Sequence, residues 1–234
     1  MTNKQYIIFA LVSILLLMGV FFVWIVSDFS NNNSLPAAST GDNSQSDDLN
    51  LKTDPLITPT KELYGSLINE NDPVRGSGAA GLVILEFGDF ECPYCQTIFP
   101  DLVKILSEYQ GKVKLIWKDF PNPSHLNARD AALAARCAGG QGQFWEYHDY
   151  LFANQAELSR EMYNQIALEL ELDLSQFNKC LDGQEKIELI GQGLEDGQKL
   201  GVDATPYIFI GNKQFNYALT YEELKRAVEE EIRK

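Results

Sequence analysis

The chain has 234 residues, enough for one folded domain with an appendage. Its 45% apolar and 22% charged residues exclude a wholly disordered chain and a multi-span membrane protein. A net charge of -14 argues against a nucleic-acid partner, which needs a basic face, and four cysteines are too few for a disulfide-dense scaffold.

Residues 1–5 read as a cytoplasmic N-terminus and 6–27 as a single-pass membrane anchor. Tyr6 to Ser27 is uncharged over 22 positions, about 30 Å as a helix, the thickness of the hydrocarbon core. A cleaved signal has a shorter apolar run. Lys4 precedes the run and Asp28 follows it, so everything beyond is expected outside the cytoplasm. Residues 28–60 are rich in Ser, Asn, Asp, Thr and Pro without apolar periodicity, the composition of a flexible tether. Setting Lys4 aside, the remainder carries 18 basic against 33 acidic residues, a net -15, which gives no attraction to anionic lipid.

The folded part is expected over 61–234. Leu82 to Phe87 (LVILEF) is a short β-branched apolar run and predicts a buried strand. From Pro93, Ile98, Phe99, Leu102, Val103, Leu106 and Tyr109 recur at helical spacing, and Gly111 stops the helix. Val113 to Trp117 (VKLIW) predicts a second strand, completing a βαβ unit. From about 121 to 200 the pattern is helical, with helices over 128–138, 144–152, 162–170, 177–181 and 187–200. Tyr207 to Ile210 (YIFI) is a third strand, Gly211-Asn212 a turn, and Gln214 to Tyr217 a returning strand. Thr220 with Glu223 forms a capping box for a last helix.

The chemistry sits in Cys92-Pro93-Tyr94-Cys95, where the first strand meets its helix. Cys92 as N-cap, with Pro93 at N1, would face unpaired backbone N–H groups and the positive end of the helix dipole. Both favour thiolate over thiol, so its pKa should fall. Cys95, one turn on, should be more buried and keep a higher pKa. Two such cysteines can form and open a disulfide: Cys92 is the accessible sulfur that exchanges, and Cys95 resolves the mixed disulfide. A structural disulfide and a zinc site compete with this reading. The first would close a very small loop, and the second lacks another close ligand pair, since Cys137, Cys180, His125 and His148 do not cluster in sequence. No metal and no cofactor is expected.

The segment GDFECPYCQ, a long helical stretch, and then GVDATPYIFIGN together resemble the DsbA-like branch of the thioredoxin superfamily, from about residue 74 to the C-terminus. Glutaredoxins also carry CPYC, but 110 residues separate Cys95 from Pro206 here, room for the helical domain that the DsbA-like branch inserts. The resemblance implies a thioredoxin-like α/β fold with that helical domain between the second and third strands of the core sheet. It implies that Thr205-Pro206 is the cis-proline dipeptide of the substrate groove, facing the CxxC, with Pro93 and Tyr94 tuning the site. Pro100 matches the family's kinking proline. Glu86 matches a buried acid that shuttles protons to the resolving cysteine, with Lys118 as its partner. An oxidising compartment would allow a second disulfide between Cys137 and Cys180, and some family members carry an extra pair. Its loop of about 44 residues corresponds to ~4 kcal/mol in the chain-entropy model. His125 falls near the CxxC rim. His148 reads as a helix-surface residue, and Phe144, Trp145, Tyr147, Tyr150 and Phe152 as core of the insertion.

The function expected is extracytoplasmic thiol–disulfide exchange at the cell membrane, donating the Cys92–Cys95 disulfide to unfolded or reduced proteins. The resemblance implies a quinone-linked membrane reoxidase, DsbB or VKOR-like. A reductase or isomerase of the same fold, and a binding or chaperone module without turnover, remain open on the sequence.

Overall fold

A computed structural model describes residues 61–234. The anchor read over 6–27 and the tether over 28–60 lie outside the described residues. Among those described, no helix is long and apolar enough to cross a membrane.

The elements in chain order are α1 (Lys61–Gly65), β1 (Val74–Gly76), β2 (Leu82–Gly88), α2 (Pro93–Glu108), β3 (Val113–Asp119), α3 (Ala128–Gly139), α4 (Phe144–Ala153), a 3-10 turn (Gln155–Glu157), α5 (Arg160–Glu169), α6 (Leu174–Asp182), α7 (Ile187–Leu200), β4 (Tyr207–Ile210), β5 (Lys213–Phe215) and α8 (Tyr221–Ile232). The five strands form one sheet in the order β1-β3-β2-β4-β5. β2 and β3 are parallel, and the other three pairings are antiparallel. β2, β3 and β4 are buried almost throughout. That is why they read as continuous apolar runs rather than as alternation.

Side chains alternate across the sheet and build two cores. On one face Ile84, Leu115, Ile208 and Ile210 pack against Ile98, Leu102 and Ile105 of α2 and Leu224 and Val228 of α8. On the other, Leu85, Phe87, Ile116 and Phe209 pack with Tyr64, Leu200 and Val202. The helices between β3 and β4 enclose a third core, from Ala131 to Ile190, which continues beneath the active-site turn to Phe90, Cys92, Cys95 and Trp117.

Two differences from the sequence reading concern strands. The helical insertion falls between the third and fourth strands, because β1 precedes the two strands legible as apolar runs. β1 has three residues, Val74-Arg75-Gly76, with none buried, so it left no hydrophobic signal. β5 is shorter than expected and ends at Phe215.

The caps follow sequence chemistry. Ser159 accepts from the Met162 N–H, Asp173 from that of Gln176, and Thr220 and Glu223 form a reciprocal capping box. Pro100 lies inside α2 and removes one backbone donor from it. α7 docks closely on β3 because it presents Gly193: a Cβ there would sit 2.3 Å from the Asp119 carbonyl oxygen.

Cys137 on α3 and Cys180 on α6 are joined by a disulfide with a sequence separation of 43. Replacing both by Ala should lower unfolding free energy by about 3–4 kcal/mol through restored loop entropy in the unfolded chain. Denaturant melts with Cys92 and Cys95 kept reduced would check it; an unchanged midpoint would mean that the bridge does not contribute.

Candidate active site

The site begins at the connector between β2 and α2. Cys92 is the N-cap of α2, in extended backbone geometry, and Pro93 follows at the first helical position, where its missing N–H leaves nothing unpaired. The Cys92 and Cys95 side chains are unbonded thiols. Neither is openly exposed: Cys92 is 4% accessible and Cys95 fully enclosed. Cys92 keeps the greater exposure of the two, in the order expected, but little of it, because the insertion's core reaches up under this turn. Tyr94 beside it is well exposed.

Thr205-Pro206 is a cis peptide, and the Cys92 thiol donates to the Thr205 carbonyl oxygen at 3.3 Å. The tertiary fold thus brings together residues 113 positions apart.

The electrostatics separate the two sulfurs. The Cys92 thiol is lowered to about 5, chiefly because the Cys95 thiol hydrogen-bonds its sulfur; burial opposes this, while the Thr205 side chain and the backbone N–H groups of Cys95 and Tyr94 assist. Cys95 is raised well above the ordinary thiol range by burial, by its bond to Cys92 and by the nearby Glu86. Glu86 is itself raised to about 8, first by burial and then by the charge at Cys92. Its carboxyl is therefore predominantly neutral at pH 7, a proton donor held in apolar surroundings.

Lys118 does not partner Glu86. In the parallel register Glu86 lies opposite Trp117, whereas Lys118 lies opposite Phe87. Neighbours in register share a face, so Glu86 and Lys118 point to opposite sides of the sheet. Lys118 instead forms buried ion pairs with Asp72 and Asp196, both 2.8 Å away, and donates to the Leu67 carbonyl.

Several positioning contacts were not legible in sequence. Gln155 donates to the carbonyls of Phe90 and Cys92, at 2.9 and 3.0 Å. Gln96 donates to the Phe152 carbonyl at 2.7 Å. The Glu91 carboxylate accepts from the Asn127 N–H at 2.6 Å. These bonds fasten the CxxC turn to the helical insertion, and a lone Gln on a loop or a helix carries no sequence signal for such a role. His125, expected at the CxxC rim, bonds Asp89 on the connector at 2.7 Å.

His148 is corrected from helix surface to core. It is 1% exposed, ringed by Phe90, Phe99, Trp117 and Phe152, and its Nε2 has no hydrogen-bond partner. Burial holds its pKa below the ordinary value. Of the aromatics around it, Phe144, Tyr147 and Phe152 are buried, but Tyr150 is 36% exposed and faces outward. Among the described residues no group of three or more His, Cys, Asp or Glu could hold a metal ion.

A family described as Thioredoxin matches residues 68–230. The fold is similar to a thioredoxin-like oxidoreductase from Silicibacter pomeroyi DSS-3, at 26% identity over 74% of this chain and 96% of that one, with a TM-score of 0.65. It is also similar to the thiol-disulfide exchange protein alpha-DsbA2 from Wolbachia pipientis, at 25% identity over 72% and 92%, with a TM-score of 0.66. Among curated proteins, the Na(+)/H(+) antiporter NhaA 1 of Salinispora arenicola is 34% identical over 160 residues, which are 68% of this chain and 24% of that protein. The chain spans about a quarter of the length of such relatives, so no transport activity carries over.

Two outcomes test this geometry. Alkylation of Cys92 should rise with pH to half its maximum near pH 5, with Cys95 unmodified; a midpoint in the ordinary thiol range would refute the stabilised thiolate. The linkage has a definite sign: a thiol held below its ordinary value adds stability to the reduced protein above that value and loses it as pH falls through about 5. Separately, Lys118→Met should cost about 3–5 kcal/mol by leaving Asp72 and Asp196 buried without their cation. It should leave the Cys92 midpoint in place, because Lys118 faces away from the sulfurs; a moved midpoint would contradict that placement.

Proposed function

The chain belongs to the thioredoxin family, its fold is that of DsbA-like thiol–disulfide oxidoreductases, and from that premise we propose that it oxidises protein thiols by donating the Cys92–Cys95 disulfide. The observation that carries this reading is the placement of the two sulfurs: Cys92 caps α2 against the Thr205 carbonyl oxygen, while Cys95, one turn on, is enclosed in the core, and their acidities are opposed in consequence.

The reaction follows from it. A substrate thiolate attacks the Cys92 sulfur of the disulfide, forming a mixed disulfide and expelling the Cys95 sulfur as an anion. Cys95 holds a proton strongly, and the neutral carboxyl of Glu86 supplies one. A second substrate thiolate then attacks the substrate sulfur of the mixed disulfide and expels Cys92. Cys92 leaves as a stabilised thiolate, which makes this step fast and the overall donation favourable. The substrate dithiol is oxidised by two electrons and the protein disulfide is reduced to the dithiol. The Thr205 main chain, against Cys92, offers a backbone edge on which an extended substrate segment can pair.

In this reading the substrates are unfolded or reduced proteins outside the cytoplasm, and the domain is tethered to the cell membrane by residues 6–27. Each turnover leaves a dithiol, so a membrane reoxidase of the DsbB or VKOR-like kind must restore the disulfide.

The direction is tested by equilibrating the full-length chain in glutathione buffers and quantifying alkylated Cys92. A potential near about -120 mV, typical of DsbA, is expected. A value near about -270 mV, typical of thioredoxin, would make the protein a reductase instead. Cys92→Ser and Cys95→Ser, neither with a disulfide to donate, should both lose thiol oxidation, whereas Cys95→Ser offered a substrate disulfide should accumulate the mixed disulfide through its Cys92 thiolate; exchange retained in Cys92→Ser would remove it from the role of exchanging sulfur.

A further inference from the structure

The connector residue Asp89 touches the site at more points than any reading of the sequence assigned to it. Its carbonyl oxygen accepts from the Cys92 N–H at 3.1 Å, and its own N–H is a donor to the Cys95 sulfur. One residue's main chain therefore meets the Cys92 backbone and the Cys95 sulfur. Its side chain is fully buried and accepts three hydrogen bonds: from the Glu91 N–H at 2.7 Å, the Asn122 N–H at 2.9 Å and His125 Nδ1 at 2.7 Å. Two of these donors are backbone amides. The third is the only side chain and the only one able to carry positive charge. His125 retains 27% of its side-chain exposure.

We propose that Asp89 and His125 form a positioning pair: the imidazole holds the Asp89 carboxylate, and the carboxylate holds the connector on which both cysteines hang. The inference rests on Cys92 being the exchanging sulfur, but not on the direction of exchange. The physical argument is one of charge and donor count. The carboxylate is out of water and three residues from a sulfur that must become an anion. With three donors its charge is spread into the connector and into the loop after β3. With two, a less compensated negative charge lies three residues from the Cys92 thiolate, and like charges in a poorly solvated site oppose one another. The other titratable groups around this junction are Glu86 from β2, Glu91 from the connector and Cys95 from α2. Arg129, the nearest cation in sequence to His125, turns to Gln184 and does not replace it.

The test compares His125→Ala with His125→Asn in the full-length chain. Asn carries an amide donor close to the position of Nδ1 and has no titration of its own. At pH about 5, where half of Cys92 is ionised in the parent, alkylation of His125→Ala should be about fivefold slower, and that of His125→Asn within about twofold of the parent. A purely structural role would lower the melting temperature of His125→Ala and leave the alkylation midpoint unmoved, which overturns the proposal. Equal slowing in both variants also overturns it, because a donor would then not suffice. If His125→Ala fails to fold, the unmodified protein decides: the His125 ring-nitrogen resonances should differ between the dithiol and disulfide forms, since coupling between two sites is reciprocal. Identical resonances would end the proposal. None of these readouts requires a substrate, so absent exchange activity would refute the proposed function without touching this pair.

Discussion

Two sulfurs within one helical turn cannot share an environment, and the rest of this structure is arranged around that inequality. Cys92 ends the connector and meets the first N–H groups of α2, while Cys95 points down into a core closed by the helical insertion. The helix start favours charge, and the core forbids it. An anion at Cys92 and a proton at Cys95 are therefore one arrangement seen from two sides, with the hydrogen bond between them the largest contribution at Cys92 and burial the largest at Cys95.

Everything near the turn serves to keep it there. Gln155 and Gln96 tie it to the insertion, and Glu91 caps the entry to α3 through the Asn127 N–H. Asp89 holds the main chain from behind. The insertion is thus more than an appendage to the thioredoxin-like sheet. It supplies the walls that desolvate Cys95, and the Cys137–Cys180 bridge joins two of its helices. The buried cluster of Lys118, Asp72 and Asp196 plays a different part. It joins β3 to α7 and to the segment before β1, on the sheet face away from the sulfurs.

The contrast between Glu86 and Lys118 shows where a resemblance gives way to geometry. Both residues lie on adjacent strands near the same end of the sheet, so sequence distance alone makes them plausible partners. Strand periodicity decides otherwise: with Glu86 opposite Trp117 in register, Lys118 falls on the other face. Glu86 owes its raised pKa to burial and to Cys92. His148 went astray for a related reason. Its neighbours in sequence, Glu146, Asp149 and Tyr150, give the helix a polar look, but the ring itself faces an aromatic pocket.

What the sequence determined by itself was local. Apolar runs placed β2, β3 and β4, helical periodicity placed the insertion, the Thr220–Glu223 pair placed the cap of α8, and the CPYC motif after a strand placed the two paired sulfurs at a helix start. These signals survive because each depends on residues a few positions apart. Only the tertiary structure decided the edge strand β1, the face on which Lys118 lies, the burial of Cys92, the contacts of Gln155 and Thr205 with the turn, and those of Asp89 with Asn122 and His125. Those depend on register and on segments that meet across tens of residues or more. A hydrogen bond between two such segments leaves no periodicity in either.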